Sequence, residues 1–271
     1  MTRSSGFAIL APGPQTTGRK LGGAMKSLFA VGLLAAAIAG QPVQAAELKV
    51  MTGGSMTGAF AELVPQFEKA TGHKLTVFYG GVPEMVKRTA AGEPFDVAVV
   101  PQQVVGNASI AAKFAPAPVR IGSVGYGVAV KAGAPKPDIS TAAAFKETML
   151  KAKSITLFPD SAAGAYVMKT FDKLGIADAM KAKTQAKPDA KQVVQAVASG
   201  EAEFGVFLIN VFAAPGVDIV GPFPAELQNS LVFEATVAAD TKQAAAGKAF
   251  IDFLRTPAAT AVFKSKGMVP G

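Results

Sequence analysis

The chain has 271 residues, of which 50% are hydrophobic and 17% charged, and carries a formal charge of +8 with no cysteine and one histidine. The lack of cysteine excludes a disulfide scaffold, a thiolate nucleophile, a zinc finger and an iron–sulfur cluster. The single histidine, His73, excludes a multi-histidine metal cage and a Ser-His-Asp triad built elsewhere in the chain.

The first 45 residues have the features of an export leader. Residues 26–40 form an apolar run behind a basic lead, and residues 43–45 place small side chains where a signal peptidase cleaves. The run is too short for a comfortable transmembrane helix. We therefore predict a cleaved signal peptide at 1–45 and a periplasmic protein, translated from Met1 or from Met25.

The leader also accounts for much of the positive charge. It contains four basic residues and no acidic one, which leaves residues 46–271 with 23 basic and 19 acidic side chains. This mild excess, without a basic run, does not indicate binding to nucleic acid. We expect no nucleic-acid partner.

Strand and helix patterns alternate along residues 48–100. In chain order they predict a strand at 48–51, a helix ending at Gly72, a strand at 75–79, a helix with Pro83 in its first turn, and a strand at 96–100. Pro65 lies inside the first helix and predicts a kink. The βαβαβ order predicts an α/β fold with a parallel sheet and crossover helices.

A helix, a glycine, a glutamate and a strand follow one another at 85–100 and again at 193–208. Each glycine suits the left-handed position that ends a helix. The repetition favours two similarly built α/β lobes, although this order is common in any α/β fold. The second copy belongs to a block that also contains a predicted strand at 154–158 and a predicted helix at 163–174.

Two extended segments, 124–130 and 231–237, bracket this block, and two helices follow them near 243–254 and after Pro257. The order predicts a discontinuous first lobe and a continuous second lobe, joined at a hinge by two crossing strands. The predicted boundaries are 46–123 plus 238–271 for lobe 1 and 124–237 for lobe 2.

Three loops, at 52–55, 80–82 and 160–164, follow strands and precede helices. Ligands in α/β sheets bind beyond the carboxyl ends of the strands, where helix N-termini offer unpaired N–H groups and partial positive charge. One serine before a helix is usually only a cap, but three such loops favour a site for a small anion. The loops supply the candidate ligand-binding residues Gly54, Ser55, Gly81, Val82 and Ser161.

Several segments resemble the periplasmic molybdate-binding proteins of ABC importers. They are KVMTGGS at 49–55, ATGH at 70–73 and AGEPFDV at 91–97, while 130–140 and 215–227 are similar to a less characterised branch of that family. The resemblance covers nearly the whole chain after the leader. It implies a type II periplasmic binding fold, in which two α/β lobes close on a ligand at the hinge, and a membrane ABC permease as partner.

The family's ligand residues match this chain only in part. Ser55 matches the first ligand serine, and Ala163 and Ala190 match positions that donate backbone N–H groups. Val82 stands in the family's second serine loop, and Leu208 stands in place of a tyrosine. The loss of these two hydroxyl donors favours an anion of another shape, such as a small organic carboxylate, over tetrahedral molybdate.

Two further residues are candidates for ligand binding. Arg120 precedes the first crossing strand, and we expect its guanidinium to point into the hinge and to hold a carboxylate by two parallel hydrogen bonds. A solvated arginine beside a proline-rich loop is the alternative. Asn210 lies near the position of the lost tyrosine.

The remaining candidate residues are predicted to have surface or core positions rather than a role in ligand binding. His73 lies between a helix and a strand and is predicted to be exposed and inert. Arg88 is predicted to lie on a helix surface. Tyr79 and Tyr126 are predicted to pack in the core.

These patterns together predict a monomeric periplasmic substrate-binding protein of an ABC importer that binds a molybdate-like oxyanion or a small organic carboxylate. No nucleophile–base pair or metal triad is recognisable, and residues 53–55 lack the lysine of a phosphate loop. We therefore expect no catalytic residue, metal or cofactor.

Two alternatives stay open. One is a periplasmic isomerase of unsaturated tricarboxylates such as aconitate, a chemistry found in relatives of this fold, which needs one proton-moving group and an anion clamp. The other is a ligand-sensing partner of a membrane receptor.

Overall fold

The computed structural model describes residues 45–271, so the predicted signal peptide lies outside the described residues except for its last position. No helix within 45–271 combines the length and apolar character needed to cross a membrane.

Ten strands form a mixed sheet within the described residues. They are β1 (Glu47–Gly53), β2 (Lys74–Gly80), β3 (Val97–Pro101), β4 (Val119–Lys131), β5 (Ile155–Leu157), β6 (Thr184–Ala186), β7 (Phe204–Leu208), β8 (Val217–Pro222), β9 (Ser230–Val237) and β10 (Val269–Pro270). Their order across the sheet is β2-β1-β3-β9-β4-β7-β5-β6, and both β8 and β10 pair with β4.

Helices connect the strands and cover both faces of the sheet. They are α1 (Thr57–Thr71), α2 (Val82–Ala90), α3 (Gln102–Val105), α4 (Ala142–Lys151), α5 (Ala162–Lys173), α6 (Ala177–Lys183), α7 (Ala190–Ser199), α8 (Ala244–Phe253) and α9 (Pro257–Ser265). Short 3₁₀ turns occupy Gly54–Met56, Ala111–Lys113 and Ile209–Phe212.

The predicted parallel arrangement is confirmed. Strand β1 pairs in parallel with β2 and β3, and β5 pairs in parallel with β6 and β7. The two glycines predicted to be left-handed have φ angles of 77° at Gly92 and 83° at Gly200, and Gly72, the predicted end of the first helix, has a φ of 76°. Since parallel neighbours end at the same edge, the loops after β1, β2 and β3 come together.

Strand β4 belongs to both halves of the sheet. Its residues 119–125 pair with β9, whereas residues 126–129 pair with β7. We call β1, β2, β3, β9 and β10 the first half of the sheet, and β5 to β8 the second half. The change of partner at Tyr126 marks the junction between the two halves.

The apolar stripe of α1 packs into the core of the first half. Phe60 and Phe67 are fully buried, and their ring centroids lie 5.9 and 5.0 Å from that of Phe250 on α8. Burial of a phenylalanine of this kind contributes about 1.5–3 kcal/mol. Helix α1 runs through Pro65 to Thr71, and the kink predicted at Pro65 stays a prediction.

The prediction that His73 is exposed is wrong. The residue is 4% exposed, its Nδ1 accepts a hydrogen bond from the Ala46 backbone N–H at 3.0 Å, and its ring lies 5.8 Å from that of Phe67. The pairing of Glu47 with Lys74 in the sheet brings the start of β1 against this loop. That long-range register buries the histidine, and local sequence carries no sign of it.

The two tyrosines predicted to lie in the core differ. Tyr126 is 2% exposed and packs as predicted, but Tyr79 is 37% exposed. Tyr79 lies near the end of β2, the strand at one edge of the sheet, and this edge position leaves the side chain partly in contact with solvent. The core prediction for Tyr79 is therefore wrong.

Candidate ligand cleft

The carboxyl ends of strands from both halves face one narrow cleft. The residues at or just after these strand ends that line it are Gly53, Gly80, Pro101, Phe158 and Leu208. The cleft has a volume of about 20 Å³, which is room for roughly one water molecule. The two halves therefore approach closely here.

Gly81 lies where the first half meets the second half. It precedes α2, and a Cβ atom placed on it would lie 2.3 Å from the carbonyl oxygen of Asp160 and 3.0 Å from the ring of Phe158. Real Cβ atoms do not approach backbone oxygen this closely. The loop after β2 can therefore touch the loop after β5 only because residue 81 is glycine.

Ser161 caps the start of α5. Its hydroxyl accepts a hydrogen bond from the Gly164 N–H at 2.9 Å and donates one to the Phe158 carbonyl at 2.8 Å. Both groups belong to the backbone, so this hydroxyl is occupied in shaping the loop. Ser161 and the buried Ala163 line the cleft.

A hydrogen bond between Asn210, which does not line the cleft, and Ser55, which does, joins the two halves. The Asn210 amide nitrogen donates a hydrogen bond to the Ser55 backbone carbonyl at 2.9 Å. Asn210 is 7% exposed, and its amide oxygen is buried without a hydrogen-bond partner among the described residues. Asn210, predicted as a ligand residue, thus holds the backbone of Ser55, which itself lines the cleft together with Gly54 and Val82.

Every residue that lines the cleft is uncharged. Positive potential comes instead from the starts of the 3₁₀ turn at Gly54, of α2 at Val82 and of α5 at Ala162, where N–H groups lack partners within the helix. Among residues 45–271 no group of three His, Asp or Glu side chains could hold a metal ion. The cleft therefore suits a small anion bound by N–H groups.

The structure does not place Arg120 in this cleft. Arg120 is exposed, donates a hydrogen bond to the Ser123 hydroxyl at 3.2 Å and lies against Gly271. Leu231, which lines the cleft, pairs with Val124, so Arg120 lies about 13 Å away along β4 at 3.3 Å per residue. The expected orientation of Arg120 into the hinge is therefore wrong, because β4 begins several residues earlier than predicted.

A larger cavity, which we call the hinge pocket, adjoins the cleft. Its volume is about 310 Å³, and it shares Ala162 and Leu231 with the cleft. The other lining residues are Gln102, Gln103, Tyr126, Ala165, Tyr166, Lys169, Asn229, Ser230 and Val232. They come from α3, α5, β4, β9 and the residue that precedes β9, and of these elements β4 belongs to both halves.

Sequence reasoning missed most of the hinge pocket. Tyr166 and Lys169 follow Ala162 at helical spacing on α5, and that spacing could have placed them beside the predicted anion site. No sequence pattern indicated the role of Gln228, which does not line the pocket but holds the backbone of Tyr126. Its side chain accepts a hydrogen bond from the Tyr126 N–H at 2.9 Å and donates one to the Tyr126 carbonyl at 2.9 Å.

Two other cavities, of about 340 and 360 Å³, lie in the first half away from the strand ends. Arg88 lines the first of them, with its guanidinium 3.7 Å from the Phe78 ring centroid and in ion pairs with Glu84 and Glu93. The Arg88 ion pair also holds the pKa of Glu93 below its usual range. Arg88 is thus a partly buried residue whose charge is already matched.

A family model described as "Bacterial extracellular solute-binding protein" matches residues 48–269. An aconitate isomerase of Pseudomonas sp is 32% identical over 241 residues, which are 86% of this chain and 90% of the relative. The molybdate-binding protein ModA of Azotobacter vinelandii is 28% identical and covers 87% and 93% of the two chains. The solved structure of the periplasmic molybdate-binding protein of Azotobacter vinelandii superposes with a TM-score of 0.69 at 21% identity, covering 82% of this chain and 98% of that one.

Proposed function

The chain belongs to the bacterial extracellular solute-binding proteins, as a divergent relative of ModA with the type II periplasmic binding fold, and from that premise we propose that it binds a small anion in its cleft. One observation carries the proposal. The cleft is lined by the starts of helical segments from both halves, and none of its lining residues carries a charge. Glu84 lies in the first turn of α2 near Gly80 but does not itself line the cleft. Partial positive charge on N–H groups in a cleft without charged lining residues favours a compact anionic group.

We also propose that the protein binds its ligand by closure of two lobes. Lobe 1 comprises 46–123 plus 238–271 and lobe 2 comprises 124–237, with β4 and β9 as the crossing strands. The change of pairing partner along β4 and the bond between Asn210 and Ser55 support this division.

The cellular setting is likewise a proposal. We place the protein in the periplasm as a monomer, where it delivers the anion to a membrane ABC permease. Two relatives support this setting, since ModA of Azotobacter vinelandii is a molybdate-binding protein and the solved structure from that organism is described as a periplasmic molybdate-binding protein.

A second candidate function is the isomerisation of an unsaturated tricarboxylate. The 32% identity to an aconitate isomerase favours it. Such a reaction moves a proton and needs a group that accepts it. The residues lining the cleft include no histidine, aspartate or glutamate, so we place binding first and isomerisation second.

A ligand screen by isothermal titration calorimetry tests the proposal. Molybdate, tungstate, sulfate, phosphate, citrate and trans-aconitate are compared with a neutral sugar and a cationic amino acid. We expect an anion to bind, and Ser55→Ala to weaken it by about 1–3 kcal/mol through loss of a hydroxyl donor. Ser265→Ala, on the distant helix α9, is the matched control and should bind like the wild type.

Incubation with trans-aconitate, followed by proton NMR, separates the two candidates. Conversion to the cis isomer would establish the isomerase, whereas binding without conversion supports the binding protein. A preference for the sugar or the cationic amino acid would refute both.

A further inference from the structure

The hinge pocket offers space that the cleft lacks. The cleft holds about 20 Å³ and the hinge pocket about 310 Å³, and Ala162 and Leu231 line both. When an anionic group is held at the helix starts, the rest of the ligand therefore has space to extend into the hinge pocket. Pockets of this size accommodate small organic molecules.

Tyr126 brings a phenolic hydroxyl group to this pocket. The residue is 2% exposed and lines the pocket, yet its hydrogen bonds within residues 45–271 are all made by its backbone. Its ring lies 4.4 Å from that of Tyr166, whose own hydroxyl donates to the Leu227 carbonyl at 2.8 Å. The Tyr126 hydroxyl thus forms no hydrogen bond with any of residues 45–271 and is free to donate to a ligand in the pocket.

Burial and the neighbouring Tyr166 also raise the pKa of Tyr126. The hydroxyl therefore keeps its proton at neutral pH. It is suited to donate a hydrogen bond to an anion.

Lys169 supplies a positive charge to the same pocket. It is the one charged residue among those that line the hinge pocket, and it forms no ion pair with any of residues 45–271. On α5 it lies seven residues after Ala162, which is two turns or about 10 Å along the axis. Lys169 is exposed, and helix side chains lean towards the N-terminus, which from Lys169 is the direction of the start of α5.

We propose that Tyr126 and Lys169 form a second anion subsite, which binds a distal carboxylate of a di- or tricarboxylate whose first carboxylate lies at the helix starts. The inference rests on the proposed function, because the first carboxylate occupies the anion cleft. A phenol and an ammonium group together give a carboxylate two charge-assisted hydrogen bonds. A compact tetrahedral oxyanion bound at the helix starts has no second anionic group to extend to them.

Calorimetry on the purified protein with trans-aconitate and molybdate tests the subsite. Tyr126→Phe keeps the ring and its packing, and Lys169→Gln removes the positive charge while keeping an unbranched polar side chain. We expect each to raise the Kd for trans-aconitate about tenfold or more, as for loss of a hydrogen bond to a charged group. Molybdate affinity should stay within twofold, and Lys181→Gln, an exposed lysine on α6 outside the pocket, should leave both affinities unchanged.

The double variant adds a test of mechanism. If both groups hold one carboxylate, the combined loss should be smaller than the product of the single losses. Circular dichroism of each variant shows whether the fold is retained.

Three results overturn the subsite while leaving anion binding intact. They are trans-aconitate binding within twofold of wild type in both variants, equal loss for molybdate and trans-aconitate, and wild-type binding of molybdate but of no polycarboxylate. Absence of binding for every anion in the wild type would instead refute the proposed function itself.

Discussion

At Gly81, the absence of a side chain determines how closely the two halves of the sheet approach. We predict that Gly81→Ala weakens anion binding at least tenfold, because its Cβ would lie 2.3 Å from the Asp160 carbonyl oxygen and would keep the loops apart. Calorimetry with the best ligand from the screen measures the effect.

Gly58→Ala is the matched control for this change. Gly58 lies in α1, and no atom lies within 4 Å of the position that its Cβ would take. The alanine should stabilise the protein by up to about 1 kcal/mol through helix propensity and leave affinity unchanged. Wild-type affinity in Gly81→Ala would mean that the contact with Asp160 plays no part in binding.

The ionisation of Tyr126 makes the stability of the folded protein pH-dependent in the alkaline range. Its pKa is raised above 10.0 in the folded state by burial, so the folded protein keeps a proton that the unfolded chain loses as pH rises through about 10. The tyrosine's stabilising contribution is therefore complete below pH 10 and is lost above it, by up to about 1.4 kcal/mol per pH unit.

Tyr126→Phe removes this titrating group, so a comparison of wild type with this variant isolates the contribution of Tyr126. We predict that the wild-type free energy of unfolding falls relative to that of Tyr126→Phe between pH 9 and pH 11. Urea unfolding at several pH values measures the difference. A difference that stays constant over this range would contradict the buried position of the hydroxyl.

Single residues were predicted best where the determining forces are local. The left-handed glycines at Gly92 and Gly200 follow from helix endings, which a short stretch of sequence contains. His73 and Arg120 were misplaced because strand register decides their environment. Partners distant in sequence set that register, and no local pattern reveals it.

Among the elements, β4 is distinguished by the change of its pairing partner at Tyr126. The Gln228 side chain satisfies the backbone N–H and supplements the carbonyl at that point. We predict that Gln228→Ala destabilises the protein by about 1–3 kcal/mol, because a partly buried backbone donor loses its acceptor. Urea unfolding measures the change.

Gln195→Ala provides the control, since Gln195 is exposed on α7. Surface substitutions of this kind change stability by no more than about 0.5 kcal/mol. Equal stability of the two variants would show that water replaces Gln228 at the junction without loss.

Elements with a clear apolar pattern were the most predictable. Strands β1 to β3 and helices α1, α2 and α7 follow the predicted order, and all of them except β3 have a glycine at or near their end. Strand β5 falls within the predicted strand at 154–158, whereas β6 has three residues, too few for a recognisable alternation. The starts of α2 and α5, which line the cleft, could be predicted from the sequence. The hinge pocket could not, because it depends on tertiary packing that no motif encodes.

For the whole molecule, export is the property that the sequence predicts outside the described residues. We predict that residues 1–45, fused to a reporter that is active only after secretion, direct its export and are cleaved near Ala45. Mass spectrometry of the exported product locates the cleavage site. Replacement of Leu33 and Leu34 by arginine should abolish export, and recovery of the intact chain from the cytoplasm would refute the periplasmic assignment.

The packing of α1 against α8 governs the order in which the protein can fold. Phe60 and Phe67 lie near the beginning of the described chain, while Phe250, which covers them, lies near its end. A chain that emerges N-terminus first exposes these two rings until almost all of it has appeared, and contacts so distant in sequence form slowly. The second half, by contrast, draws on a continuous stretch and can assemble earlier. During that interval the nascent chain carries an uncovered aromatic surface, and it is then that a chaperone would protect it from aggregation.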